Sequence, residues 1–446
     1  MKVLLSAYAC EPDKGSEPAV GWQWVQQIAR FHDVWVITRA NNRGAIDAAL
    51  RERPLPNVQW IYTDLPAWTQ FWKKREVGLH LYYYLWQVLA YFRARTHYRQ
   101  IRFDVTHHVT FGKYWVPSLL WLLPPPFVFG PVGGGEKPPF AFWSDYGMRG
   151  KIIDGIRYLT QRAAHADPFL RLAVARAAVA IGVTEQTAAE LRKLGAKRVL
   201  VHPQWAMPER DFLRLSSREG SSAGNRLRVI SIGRLLHWKG FHLTIRAFAK
   251  FYQSHHDAEL WIVSDGPERG RLEQLARSLG VAEAVVFSGH LPTLADVYRK
   301  LKESDVLVHP ALHEAFGNVC LEAMAAGKPV ICLDIGGPAM QVTESTGFKI
   351  AATTVAQTVH EMAEALSVLA DDPELREEMG RAAVLRVRRD FQWDRKGDFM
   401  ADVYRQVVAQ SGIPYAPAAG SGAQSLTGDV VQRRTPDPTG PGTVAQ

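Results

Sequence analysis

Segments typical of β-strands and of α-helices alternate through most of this chain, in two separate series. Such alternation is typical of α/β domains built on open parallel sheets, so we expect two such domains. The predicted strands of the first series are Lys2–Ala7, Val34–Thr38, Val58–Tyr62, Val105–Val109, Pro126–Gly130 and Ala178–Val183, and its predicted helices are Ala19–Phe31, Leu81–Tyr98, Asp154–Ala175 and Glu185–Leu194. The predicted strands of the second series are Val229–Ile232, Glu259–Ser264, Val285–Ser288, Val306–His309 and Pro329–Leu333.

The alternation fails between the two series, within residues 201–225. Pro203, Pro208 and a run rich in serine and glycine indicate a connector there. A helix predicted at Trp393–Gln410 is expected to come last and to fold back across both domains. The end of the chain holds almost no large apolar residues to bury, so we expect it to be disordered. The predicted boundaries are 1–205 for the first domain, 206–225 for the linker, 226–392 for the second domain, 393–411 for the crossing helix and 412–446 for the tail.

The positive charge of the chain is concentrated in its first half. Residues 1–200 carry 26 Lys and Arg against 15 Asp and Glu, a net charge of +11, whereas the remaining residues carry 27 against 29, a net charge of −2. This asymmetry favours an anionic partner for the first domain, unless the charge serves solubility alone. No helix-turn-helix, zinc-finger or RNA-binding signature is present, so an anionic membrane or a phosphorylated acceptor is favoured over nucleic acid.

Cysteine usage and the first residues point to the cytoplasm. The chain has three cysteines, Cys10, Cys320 and Cys332, at no metal-like spacing, which argues against a disulfide framework. The segment that begins at Met1 reads as a first strand rather than as a signal peptide. We therefore expect a cytoplasmic protein, with peripheral contact to the inner face of the membrane as an option.

Two apolar segments bear on membrane contact. Residues 114–136 are nearly free of charge, but the prolines at 124–126 would break a spanning helix. The aromatic stretch Leu79–Phe92 is too short to span and has basic residues on both sides, among them Lys73–Arg75 and Arg93. It fits an interfacial anchor or an ordinary helix packed on the sheet, and the sequence does not decide between them.

The loop Gly233–Gly240 follows the first predicted strand of the second series and contains two cations. Arg234 and Lys239 lie where both side chains could reach one diphosphate and stabilise charge on a leaving group. A surface loop with two cations would explain the same pattern. The chain has no dense aspartate cluster of the DxD kind, so we expect no metal and no further cofactor.

A second segment, His313–Glu322, places two carboxylates on either side of a predicted helix start. Gly317 would let the backbone approach a ligand, and the free N–H groups of the helix that follows would face phosphate. Glu322 lies about one turn into that helix, where it could accept both hydroxyls of a ribose, and Glu314 precedes the helix, near a sugar. The alternative is that the two carboxylates only cap and decorate a helix.

Taken together, these motifs resemble glycosyltransferase family 4. The resemblance rests on Gly233–Gly240, Gly266-Pro267, Phe287-Ser288-Gly289, the spacing of Glu314 and Glu322, the run Glu322–Val330, Gly336-Gly337-Pro338 and Thr346-Gly347-Phe348. It is strongest over about residues 226–350. It implies a GT-B fold, in which two Rossmann-like domains face a central cleft, and a metal-independent transfer that retains anomeric configuration.

The resemblance also implies roles for individual residues. Arg234 and Lys239 would bind the diphosphate, Glu322 the ribose and Glu314 the sugar, while Leu291 would meet the base through its backbone. The implied donor-binding set is Gly15, Arg234, Lys239, Leu291, Glu314, Phe316, Gly317, Asn318, Val319 and Glu322. The partners implied are a nucleotide-sugar donor and a glycolipid or oligosaccharide acceptor.

The first domain matches the family less closely. Gly15-Ser16-Glu17 resembles a glycine-containing loop near the donor phosphates, although a turn glycine would explain it. The strand Asp104–Val109 resembles one that ends in a histidine facing the sugar. His107 and His108 are both candidates for that catalytic position, beside Arg234, Lys239 and Glu314. Strand alternation sends the two imidazoles to opposite faces, and we favour His108 on the assumption of a local irregularity at the strand end.

Three interpretations of function remain at this point. The first is a retaining glycosyltransferase that moves a hexosyl unit from a nucleoside diphosphate sugar to a hydroxyl of a lipid-linked or polysaccharide acceptor. The second is a GT-B enzyme of another type, a sugar-nucleotide epimerase or a phosphorylase. The third is a non-catalytic protein that binds nucleotide sugars. The sequence does not name the sugar, base, acceptor or linkage.

Overall fold

The computed structural model describes residues 1–12, 14–66, 68, 78–217 and 226–412. Three parts of the chain discussed above lie outside the described residues. They are the basic residues Lys73–Arg75, residues 218–225 of the predicted linker, and the predicted tail from residue 413 onward.

The first half of the chain forms a parallel sheet in the strand order β3-β2-β1-β4-β5-β6-β7. Its strands are β1 (Lys2–Ala7), β2 (Asp33–Arg39), β3 (Val58–Thr63), β4 (Val105–Thr110), β5 (Phe127–Val132), β6 (Val179–Gly182) and β7 (Val199–Val201). Its helices are α1 (Glu17–Ala29), α2 (Arg43–Glu52), α3 (Leu79–Ile101), α4 (Met148–Ala164), α5 (Pro168–Arg176) and α6 (Glu185–Lys193). Every residue of β4 and β5 is buried, as expected for central strands covered by helices on both faces.

The second half repeats this plan with six parallel strands in the order β10-β9-β8-β11-β12-β13. The strands are β8 (Leu227–Ile232), β9 (Ala258–Val263), β10 (Val285–Gly289), β11 (Val306–His309), β12 (Val330–Leu333) and β13 (Gly347–Ile350). The helices are α7 (Glu209–Ser216), α8 (Phe241–Tyr252), α9 (Arg269–Ser278), α10 (Leu294–Glu303), α11 (Asn318–Ala325), α12 (Gly336–Gln341), α13 (Val355–Asp371), α14 (Pro373–Asp390) and α15 (Trp393–Gln410). In both sheets the order reverses beside the first strand, which is the Rossmann arrangement and the usual place of a ligand site.

Two predictions of secondary structure were wrong, and some elements were not predicted at all. The single helix predicted at Asp154–Ala175 is two helices, because the carboxylate of Asp167 caps α5 and Pro168 opens it. The predicted linker contains α7, whose Phe212 and Leu215 join the apolar core of the second domain. The strands β7 and β13 went unrecognised, since each is a short edge strand of three or four residues.

The last helix returns to the first domain, as predicted. After α14 the chain enters α15, whose Met400, Tyr404 and Val407 belong to the apolar core on one face of the first sheet. The indole of Trp393 meets that of Trp24 edge-on, with ring centroids 5.9 Å apart. The first half of the chain also contributes to the core of the second domain, because Phe142 is fully buried there.

Helix α3 packs on the first sheet through an aromatic face. Tyr82, Tyr83 and Trp86 are fully buried there, whereas Leu85 and Phe92 on the other side are exposed. The packed alternative is therefore confirmed, and an additional interfacial role stays a prediction. In the part of the chain that the structure describes, no helix is both long and apolar enough to cross a membrane.

Candidate functional site

A cavity of about 530 Å³ lies between the two domains, at the carboxyl ends of their central strands. Residues of both domains and of the segment that joins them form its walls. The lining residues are Ser16, Glu17, Val20, Gly112, Lys113, Gln204, Trp205, Ile232, Gly233, Lys239, His309, Glu314, Ala315, Phe316, Gly317, Asn318, Val319 and Glu322.

One wall is built by the loop that follows β8. Gly240 closes this loop with φ of 72°, and a Cβ there would lie 2.0 Å from the carbonyl oxygen of Pro310, so only glycine fits. The tight closure places Lys239 at the cavity. Its ammonium forms an ion pair with the carboxylate of Glu314, and both side chains are about four-fifths buried. The loop thus holds a cation in a low-dielectric position beside the cavity.

The same wall continues into the start of α11. Gly317 takes the left-handed conformation with φ of 79°, and Asn318 begins the helix without a side-chain cap. The first N–H groups of a helix lack intrahelical partners, and the helix dipole adds positive potential there. Because Gly317, Asn318 and Val319 all line the cavity, this helix start is suited to bind an anion.

The titratable groups of this wall differ in charge. Burial raises the pKa of Glu314, but Lys239, His309 and the backbone hydrogen bond from Phe316 together outweigh burial, and the pKa lies below its ordinary value. Burial raises the pKa of Glu322 to about 7, and the charge of Asp211 adds to the shift. Burial lowers the pKa of His309 to about 4, so its imidazole is neutral at pH 7. The wall therefore offers one ionised carboxylate, one carboxyl poised near neutrality and one neutral imidazole.

The opposite wall comes from loops of the first domain. The N–H of Gly112 donates a hydrogen bond to the carboxylate of Glu17, the first residue of α1. A Cβ on Gly112 would lie 3.0 Å from Oε1 of Gln204 and 3.4 Å from Oε1 of Glu17, so these groups converge. Burial raises the pKa of Glu17, and the Gly112 hydrogen bond offsets part of that rise. Lys113 adds a cation on this side.

Most of the donor-binding set predicted from sequence is brought together. Seven of its residues line the cavity, namely Lys239, Glu314, Phe316, Gly317, Asn318, Val319 and Glu322. Three do not. Gly15 and Arg234 are exposed and directly adjoin the lining residues Ser16 and Gly233, while Leu291 packs against the core of the second domain.

Neither candidate histidine lines the cavity. The ring of His107 bonds to the hydroxyl of Tyr404 and to the carbonyl of Gly130, whereas Nε2 of His108 lies 3.0 Å from the carbonyl oxygen of Phe111. The two imidazoles are on opposite faces of the sheet, as predicted, and the pairing of β1 with β4 does slip at Val109. Burial lowers the pKa of His107 to about 3 and that of His108 to about 4, so both are neutral. Their positions favour a structural role over a catalytic one.

We expect His107→Ala to lower the free energy of unfolding by about 3 kcal/mol, because it empties a buried site and leaves the Tyr404 hydroxyl without its partner. Affinity for a nucleotide sugar should stay at the wild-type value, since the side chain does not reach the cavity. Urea unfolding and calorimetric titration measure the two quantities, with His108→Ala as the comparison on the other face. A loss of affinity at unchanged stability would contradict this assignment.

Several lining residues were not predicted. His309 ends β11 beside the strand-order reversal, and that place alone could have identified it. Glu17 was noticed only as part of a glycine loop. Lys113, Gln204 and Trp205 carry no local signal, because only the folded chain brings their loops to one wall. Among the described residues, no group of three or more His, Cys, Asp or Glu side chains is arranged to hold a metal ion.

Comparison with known proteins bears on both the fold and the site. Residues 215–386 match the family described as "Glycosyl transferases group 1". The lipopolysaccharide core biosynthesis glycosyltransferase LpsD of Rhizobium meliloti (strain 1021) is 33% identical over 232 residues, which are 51% of this chain and 64% of that protein. The chain thus matches less than two thirds of that relative's length.

Two solved structures are similar over nearly the whole chain. A sucrose-phosphate synthase from Thermosynechococcus elongatus has a TM-score of 0.57 at 19% identity, and covers 92% of this chain and 99% of its own. HepE of Anabaena, solved in complex with UDP, has a TM-score of 0.57 at 18% identity over 91% of this chain and 100% of its own. At such identities the likeness shows the fold alone. The predicted GT-B fold, with two Rossmann-like domains, is confirmed.

Proposed function

We propose that this protein is a retaining, metal-independent glycosyltransferase of family 4. It moves a hexosyl unit from a nucleoside diphosphate sugar to a hydroxyl of a lipid-linked or polysaccharide acceptor. One observation carries the proposal: Lys239, Glu314, Glu322 and the start of α11 line a single wall of the cleft between two Rossmann-like domains. The family match over residues 215–386 supports it, because that match includes this whole wall.

The donor would be held by complementary charge. The ammonium of Lys239 and the free N–H groups at Asn318 face the diphosphate, and they stabilise the negative charge that grows as it leaves. Glu322 accepts hydrogen bonds from ribose hydroxyls. Glu314 accepts hydrogen bonds from hydroxyls of the sugar while its ion pair keeps Lys239 in place. Arg234, an exposed residue of the same loop, reaches the diphosphate if the loop closes on the donor.

The transfer breaks the bond between the anomeric carbon and the diphosphate oxygen and forms a bond from that carbon to the acceptor oxygen. In a retaining transfer both events occur on one face of the sugar. The departing diphosphate oxygen takes the proton of the acceptor hydroxyl, so no separate base is needed. Closure of the two domains over the donor would exclude water and limit hydrolysis.

The acceptor side of the proposal rests on the first domain. Its net charge of +11 over residues 1–200 favours an anionic acceptor or a surface that carries one. The name of the Rhizobium meliloti relative refers to lipopolysaccharide core biosynthesis, which is consistent with such an acceptor. We place the protein in the cytoplasm, in peripheral contact with the inner face of the membrane.

A panel of UDP-, GDP- and ADP-sugars tests the donor site. We expect one donor to raise the melting temperature and to be hydrolysed slowly without acceptor, equally well in the presence of EDTA. Glu322→Ala should abolish both effects, whereas Glu344→Ala, an exposed glutamate of the same domain, should leave them intact. If no nucleotide sugar binds, the proposal fails. Release of an epimerised nucleotide sugar would favour an epimerase, and binding without any turnover would favour a non-catalytic protein.

A further inference from the structure

Helix α4 presents an apolar face to the outside of the molecule. Met148, Ile152, Ile156 and Leu159 recur at intervals of four, four and three residues, which places them on one side of a helix. Their exposed fractions are 73%, 55%, 60% and 65%. Single exposed apolar residues are ordinary, but a continuous exposed row of large ones marks an interaction surface.

The opposite side of α4, which faces the protein, is polar. Asp154 and Gln161 are each only 4% exposed, and the guanidinium of Arg157 donates to the carbonyl oxygens of Gly134 and Glu136 at 3.2 and 3.1 Å. A helix on the surface of a water-soluble domain normally turns its apolar side inward. In α4 the arrangement is reversed: the polar side packs against the protein, and the apolar side faces outward, where it is available to bind another surface.

The exposed charges of α4 and of the helix that follows it have one sign. From Met148 to Arg176, across α4 and α5, the exposed charged residues are all arginines, namely Arg149, Arg162, Arg171 and Arg176. The two acidic residues of this stretch are engaged elsewhere. Asp154 is buried, and the carboxylate of Asp167 caps α5 and bonds to the hydroxyl of Tyr84.

We propose that the outward face of α4 docks on a membrane surface that carries anionic headgroups. The apolar row enters the boundary between headgroups and acyl chains, and the arginines pair with lipid phosphates. Apolar side chains flanked by cations are the pattern of helices that lie in the membrane interface. A protein partner would have to match both an apolar row and exposed charges of a single, positive sign on α4 and α5. An anionic bilayer matches both.

The docking face lies directly behind the cleft. Nε2 of His237 is 3.4 Å from Oδ1 of Asp154 on the inner side of α4, and a Cβ on Gly150 would lie 2.8 Å from the ring of His237. His237 precedes the cavity residue Lys239 by two positions. A lipid-linked acceptor held in the bilayer would therefore be near the donor loop. The idea that docking brings an acceptor to the donor loop rests on the proposed function, whereas the docking itself does not.

Vesicle flotation of the full chain tests the docking. The probes are vesicles of phosphatidylcholine alone and of equal parts phosphatidylcholine and phosphatidylglycerol, at low and high salt. We expect wild-type protein to bind the anionic vesicles, more weakly at high salt. Ile152→Gln/Ile156→Gln should lower the partition coefficient at least tenfold. The matched control is Leu85→Gln/Phe92→Gln on the exposed side of α3, which should bind like the wild type.

The remaining outcomes are decisive as well. Equal binding by the α4 variant and the wild type would overturn the inference, and selective loss in the α3 variant would move the surface to α3. A wild-type dimer that the α4 substitutions convert to a monomer would identify the face as an interface between copies. The melting temperature and the shift given by a nucleotide sugar are measured on the same samples. Docking that depends on α4 stands even if no nucleotide sugar binds, so the two proposals fail separately.

Discussion

Replacing Lys239 with alanine is expected to lower kcat/KM for donor cleavage by about a hundred- to a thousandfold, the range seen when one preorganised donor to a developing anion is removed. Lys239 is the cation that the structure places in the cavity wall next to the start of α11. The helix N–H groups stay in the variant, so some turnover should survive. Most of the loss should fall on kcat, because the diphosphate gains charge as it leaves.

The control for this substitution is Lys250→Ala. Lys250 lies on the exposed side of α8, with its ammonium 3.0 Å from Nδ1 of His360, and it does not line the cavity. Initial rates of donor hydrolysis and of transfer, measured over a range of donor concentrations, separate kcat from KM. A Lys239→Ala protein that keeps the wild-type rate would remove Lys239 from the proposed mechanism.

The same substitution should also affect stability, because Lys239 neutralises a partly buried carboxylate. Without it, Glu314 keeps the backbone hydrogen bond from Phe316 and the neutral imidazole of His309, whose Nε2 lies 3.9 Å away, but it has lost its cation. We expect Lys239→Ala to lower the free energy of unfolding by about 2 kcal/mol. Lys239→Ala/Glu314→Ala should recover much of that stability while turnover stays low. This combination separates the structural role of the ion pair from its role toward the donor.

The fold could be predicted from sequence wherever burial leaves a continuous signal. The central strands β1, β8 and β11 are apolar along most of their length because helices cover both faces, and each was recognised to within a residue or two. The half-buried edge strand β7 is apolar throughout, but its three residues are too short a run to be recognised as a strand.

Helix α4 shows a second limit of sequence patterns. Its apolar periodicity is real, yet it describes the outward face rather than the packed one. A pattern locates a helix without stating which side the protein covers. The break before α5 was missed because apolar residues occur at helical spacing on both sides of Asp167 and Pro168. An acidic cap followed by proline is nevertheless a recognisable helix start.

One wall of the candidate site could be predicted from sequence and the other could not. The wall from the second domain comes largely from two compact motifs, so Lys239, Glu314 and the residues from Phe316 to Val319, together with Glu322, could be named from sequence. The facing wall draws Glu17, Lys113 and Gln204 from three segments that are far apart in the sequence, and only the fold brings them together. His107 and His108 lie outside the cavity lining, and their catalytic role stays a prediction, since a strand-end histidine can serve packing as well as chemistry.

Donor affinity should rise about tenfold between pH 6 and pH 8, and this rise should depend on Glu322. With a pKa of about 7, the carboxyl of the ligand-free protein passes from mostly protonated to mostly ionised across that interval. Ribose hydroxyls donate to the ionised form, so binding favours ionisation and releases a proton from the enzyme. A nucleotide sugar is the proper ligand for this test, because its diphosphate is esterified at both ends and does not titrate near neutrality.

The stability of the ligand-free protein should change in the opposite sense. Burial holds the pKa of Glu322 above the value of an unfolded chain, so its favourable contribution is complete at pH values below that unfolded pKa and is lost as the pH rises through about 7. Calorimetric titrations at pH 6, 7 and 8 in buffers of different ionisation enthalpy give both the affinity and the proton release. Glu322→Gln should bind weakly with no dependence on pH, and Glu344→Gln should keep the wild-type slope. A flat wild-type profile, or a slope that survives in Glu322→Gln, would show that another group meets the ribose.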